Sequence, residues 1–80
     1  MAYMFEVYYK APPDPKKEAA LQQCIGRLGG RLDYREEAQD NAFASVTLTY
    51  EFDHLEQAEA AAASLRRQGE HVEGPQDYGP

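Results

Sequence analysis

Two residue periods alternate along this chain, and their order leaves few architectures open. Apolar residues recur at every second position over Tyr3–Lys10, Arg31–Glu37 and Ala42–Phe52. That is the period of a strand with one buried face. From about Asp14 to Leu28, and from about Asp53 to Gln68, apolar residues recur at intervals of three and four. That is the period of a helix lying on a core. A last short strand surrounds Val72. The order β-α-β-β-α-β in 80 residues predicts an α+β sandwich, with a four-stranded antiparallel sheet and two helices on one face.

Local chemistry places the boundaries. In the first strand Tyr3, Phe5, Val7 and Tyr9 point one way, and Met4, Glu6, Tyr8 and Lys10 the other. Ala11-Pro12-Pro13-Asp14-Pro15 then stops the strand, because proline removes a backbone donor. Asp14 is placed to cap the first helix, with Pro15 at its favoured first position. Leu21, Cys24, Ile25 and Leu28 form that helix's apolar stripe, and Gly29-Gly30 ends it. In the second strand Leu32 and Tyr34 alternate against Arg31, Asp33 and Arg35. A polar connection, Glu36 to Asn41, follows, with a turn signal at Asp40-Asn41. The third strand sets Ala44, Val46, Leu48, Tyr50 and Phe52 against Phe43, Ser45, Thr47, Thr49 and Glu51. Asp53, with Glu56 three residues on, has the form of a capping box for the second helix. Leu55, Ala58, Ala62 and Leu65 face the sheet. Residues 1–73 are expected to form one domain, and residues 74–80 an irregular or extended tail. The expected core draws on Phe5, Val7, Val46, Leu48 and Val72, the first helix's stripe, and Leu32, Tyr34 and Leu55.

Over residues 3–73 this order resembles the ferredoxin-like fold. The resemblance implies that the first and third strands are central and the second and fourth are edges. It also implies that both helices cover the same sheet face. The other face is then open, and it is the candidate binding surface. Met4, Tyr8, Arg31, Arg35, Phe43, Thr47 and Thr49 are its candidate contact residues. Large apolar or amphipathic side chains on an uncovered face mark interfaces. Tyr78, in the tail, is a candidate for docking on a groove, a sheet edge or a partner.

Composition narrows the function classes. The net charge is −6, from 14 acidic and 8 basic residues, which opposes binding to a phosphate backbone. Asn41-Ala42-Phe43-Ala44-Ser45-Val46-Thr47-Leu48 looks like a degraded third-strand signature of the RNA-recognition motif. Phe43, Ala44 and Val46 agree with it. Asn41 lacks the basic charge, and Ser45 lacks the second stacking aromatic. The loop after the first strand resembles, in position only, the ligand loop of small amino-acid-sensing domains, but its prolines make it stiff. His54 and His71 show no zinc-site spacing, and the cysteine pair of some ferredoxin-like metal-binding domains is missing. Cys24, the one cysteine, lies on a buried stripe, where a thiol acts as a small hydrophobe. No catalytic set and no cofactor are expected. A lone cysteine allows no intrachain disulfide and suits a reducing compartment. With no apolar run of membrane-span length and no basic leader, the expected location is the cytoplasm.

Three function classes follow. The first is a non-catalytic protein-interaction or regulatory module using the open sheet face, with a protein partner or a second copy. The next is a small-molecule-binding or enzymatic homodimer with a site between facing sheets, its ligand unspecified. The last is a nucleic-acid binder of the RNA-recognition type. For a second copy, the expected contact is the open face, with Tyr8 and Phe43 near its centre.

Overall fold

Strands with a single apolar face must stack that face on something. Here every buried strand residue faces the same two helices. The computed structural model describes residues 2–40 and 43–77. The elements are β1 (Tyr3–Lys10), α1 (Pro15–Arg27), β2 (Arg31–Asp40), β3 (Phe43–Phe52), α2 (Leu55–Arg67) and β4 (His71–Asp77). They form a four-stranded antiparallel sheet in the order β2-β3-β1-β4. This is a ferredoxin-like α+β fold. The central strands are β1 and β3, and the edges are β2 and β4.

The core lies between the sheet and the helices. Phe5 and Val7 of β1 meet Val46, Leu48, Tyr50 and Phe52 of β3. Phe5 lies between the rings of Phe52 and Tyr50, with centroids 5.5 and 5.9 Å away. From above, α1 contributes Leu21 and Ile25, and α2 contributes Ala58, Ala61, Ala62 and Leu65. Alanine at these positions lets α2 approach the sheet closely. The alanine run therefore serves packing as well as helix propensity. Tyr50 and Phe52 supply bulk that the short aliphatic inventory lacks.

The helix ends follow their local chemistry in one case and depart from it in the other. Asp14 caps α1 by accepting a hydrogen bond from the Lys17 backbone N–H at 3.0 Å, and Pro15 follows it. The expected Asp53 cap does not form. The residue at the start of α2 is His54, whose side chain makes no capping bond. The Asp53 carboxylate instead accepts from Arg31 at 3.0 Å. Helix α2 is tied down at its other end, where the Arg66 guanidinium donates to the carbonyls of Val72 and Gly74 at 3.1 and 2.7 Å.

Several expectations need correction. Strand β2 runs past its expected end at Glu37 to Asp40, so residues 38–40 are strand and not connection. Strand β4 continues through residues 74–77, where a tail was expected. There it bulges against β1 between Met4 and Glu6. Gly74 makes this possible, with φ +107° and its Cα so close to β1 that a Cβ would lie 3.2 Å from the Met4 carbonyl. Tyr34 and Leu55 are not core residues, being 56% and 41% exposed. Cys24, Leu28 and Leu32 pack at its margin.

Candidate functional site

Pairing register maps the uncovered face of the sheet. In rows across β2, β3, β1 and β4, the first is Arg31–Glu51–Met4–Gln76. The second is Tyr34–Thr49–Glu6–Glu73, and the third is Glu36–Thr47–Tyr8–His71. The last is Ala38–Ser45–Lys10. Met4, Tyr8, Thr47, Thr49 and Arg31 therefore lie on the open face, as the strand alternation implies. The side chain of Phe43 and the whole of Tyr78 lie outside the described residues.

Arg35 is a correction. A register shift between Leu32 and Tyr34 leaves Asp33 without a partner on β3. Such a bulge inserts one residue and reverses the facing of all that follow. Tyr34 moves to the open face, opposite Thr49, and Arg35 moves to the helix side, opposite Leu48. There Arg35 grips Glu18 of α1 through two hydrogen bonds, 2.7 and 3.0 Å, and Glu37 through a third at 2.6 Å. Glu18 also accepts from the Tyr9 hydroxyl, which in turn accepts from the Asp14 backbone N–H at 3.0 Å. The Arg35 guanidinium holds the Glu18 carboxyl below its usual range. Burial, and then the bond to Glu18, raise the Tyr9 hydroxyl. Lys17 lies over the Tyr9 ring at 5.4 Å and pairs with Glu70 at 2.9 Å. The cluster joins β1, α1, β2 and the turn before β4, and each polar group in it is held by another. It is a structural latch.

The open face has a different character. Arg31 is occupied by Glu51 at 2.5 Å and by Asp53 at 3.0 Å, and its hydrogen bond holds the Asp53 carboxyl below its usual range. The middle rows carry the carboxylates of Glu6, Glu73 and Glu36. Glu6 stands directly opposite Glu73, and like charges so placed repel. Among the described residues the only basic side chain in these rows is His71, whose ring lies 3.2 Å from the Glu73 carboxyl and is tilted against the Tyr8 ring at 5.7 Å. Thr47 and Thr49 form a flat floor between Tyr8 and the exposed Tyr34. The face is thus an acidic surface with aromatic flanks.

His71 and Glu73 were not among the sequence candidates. Their signal was present, since period two about a core Val72 sends both to the open face. Tyr34 had no such signal, because nothing in the residues marks the bulge. Among the described residues no group of three or more His, Cys, Asp or Glu side chains is arranged to hold a metal ion. No described helix is long and apolar enough to cross a membrane. No family model matches the chain, and no curated protein matches it.

Proposed function

We propose that this chain is a non-catalytic protein-interaction module whose open sheet face receives a basic segment of a partner protein. The observation that supports this reading most is the opposed pair Glu6 and Glu73, with Tyr8 and Thr49 beside it. Two carboxylates set across adjacent strands cost stability in the free domain. A lysine or arginine side chain laid between them removes that cost, and a tyrosine ring alongside favours the cation further. The arrangement favours a basic partner over a second copy packed face to face. Two copies would bring the same carboxylates together, and Arg35 lies on the other side of the sheet. The lone, half-buried Cys24 supports a reducing setting such as the cytoplasm.

The test is a titration with a tetralysine peptide capped at both ends, followed by backbone amide shifts. The expected shifts gather on residues 4–8, 47–51 and 71–73, and Glu6→Lys abolishes them while the fold persists by circular dichroism. Shifts spread evenly over the acidic surface, or unchanged by Glu6→Lys, remove the proposal.

A further inference from the structure

Among the described residues the edge strand β2 has no neighbour on its outer side. Its first part is protected by the bulge at Asp33, which breaks the regular ladder. From Tyr34 to Asp40 the register against β3 is unbroken, so this stretch presents regular main-chain donors and acceptors along a free edge. Natural edges are commonly blunted by charged side chains, lysine above all, by proline or by a bulge. Residues 34–40 hold no lysine, proline or bulge, and of their charges only Arg35 is basic, against Glu36, Glu37 and Asp40, so the edge repels acidic strands and leaves basic ones admissible.

Both sides of this edge carry carboxylates. Glu36 projects with Thr47 on the open side, beside the exposed Tyr34. Glu37 projects with Val46 on the helix side, where one carboxylate oxygen already accepts from Arg35 and about half of the side chain, 54%, stays exposed to a further cation. A hollow of about 340 Å³ lies at this end of the strand, walled by Glu37, Gln39 and Ala44 on that side, by Ala38 and Ser45 on the other, and by Ala11 and Pro13 of the loop after β1. Successive residues of an extended chain point to opposite faces. Two adjacent basic residues of an added strand would therefore reach Glu36 on one side and Glu37 on the other.

We infer that residues 34–40 of β2 accept an extended dibasic segment of a partner protein as a fifth strand. The inference rests on the reading of the open face as a receptor for a basic partner, and says how that partner is held. Main-chain bonds supply affinity in this mode, and alternate side chains supply specificity. A second copy does not fit the requirement. An antiparallel two-fold pairing centred on Glu36 or Glu37 sets that residue against itself. The chain's own dibasic pairs, Lys16-Lys17 and Arg66-Arg67, are locked in α1 and α2.

The probe is a capped peptide of roughly eight residues, the length of an ordinary strand, alternating threonine and valine around a central Lys-Arg. Two further versions carry N-methyl groups on alternate backbone nitrogens, one in each phase. The parent peptide should slow amide exchange within residues 34–39. One N-methylated version should bind about tenfold or more weakly and the other nearly normally, because only alternate amides of an added strand face the edge. Glu36→Gln, on an exposed position, should weaken the parent without altering the fold. Equal binding by both methylated versions overturns strand addition, and so does the absence of binding. Shifts confined to residues 4–8 and 71–73 overturn it too, but leave the open-face reading standing. Loss of the tetralysine shifts removes that reading separately.

Discussion

Glu18 shows how one side chain can fix the facing of a whole strand. It accepts from both the Arg35 guanidinium and the Tyr9 hydroxyl, and Arg35 reaches it only because β2 bulges before it. The carboxyl titrates below the usual 4.5 because the Arg35 hydrogen bonds stabilise its ionised form. A depressed folded value means that stability from this group is present above 4.5 and is lost as the pH falls through the folded value. Glu18→Gln should lower stability by about 1 kcal/mol at neutral pH, the scale of a partly exposed ion pair. It should also flatten the acid limb of the stability curve below pH 4.5. Urea denaturation from pH 7 to pH 3 measures both. Parallel curves for wild type and variant would show that the latch carries no linkage.

At the level of elements, the two helix starts make a controlled comparison. Asp14→Ala removes a side-chain cap from α1 and should cost about 1 kcal/mol. Asp53→Ala removes only an exposed pairing with Arg31 and should cost less. A calorimetric ranking in the reverse order would contradict the capping geometry. The contrast also shows what the sequence can carry. The element order, the type of each element and the facing of β1 and β3 follow from periodicity, because burial imposes periods of 2 and 3.6, whereas the strand order comes only from the resemblance to the ferredoxin-like fold. The facing of β2 after Asp33 does not follow. A bulge is an insertion relative to a partner strand, and the partner is not local in sequence. Leu55 failed for a related reason: its spacing from Ala58 fits the stripe, but it is the first residue of α2 and remains exposed. The open face was therefore largely legible, in Met4, Tyr8, Thr47 and Thr49, while its acidic balance was not, because that depended on where Arg35 went.

The whole molecule carries a net charge of −6 on a body with a radius of gyration of 12.3 Å. Two electrostatic effects of opposite sign therefore act on its stability. The ion pairs Lys17–Glu70, Arg31–Glu51 and Arg35–Glu18 hold charges 2.5–2.9 Å apart, well inside a Debye length, so salt weakens them little. The repulsion among excess carboxylates acts over distances comparable with the Debye length of about 8 Å at physiological ionic strength, so salt weakens it strongly. The free domain should thus become more stable with added salt. A gain of about 1 kcal/mol would raise the melting temperature by roughly 4–8 °C for a domain of this size. Binding of a basic segment should respond in the opposite direction, since screening removes the attraction that draws it to the acidic face. Melting temperature and tetralysine affinity, measured together from about 20 to about 200 mM sodium chloride, should move apart. A melting temperature that falls with salt would mean that the short ion pairs dominate the charge balance. An affinity indifferent to salt would mean that the acidic face does not direct the contact.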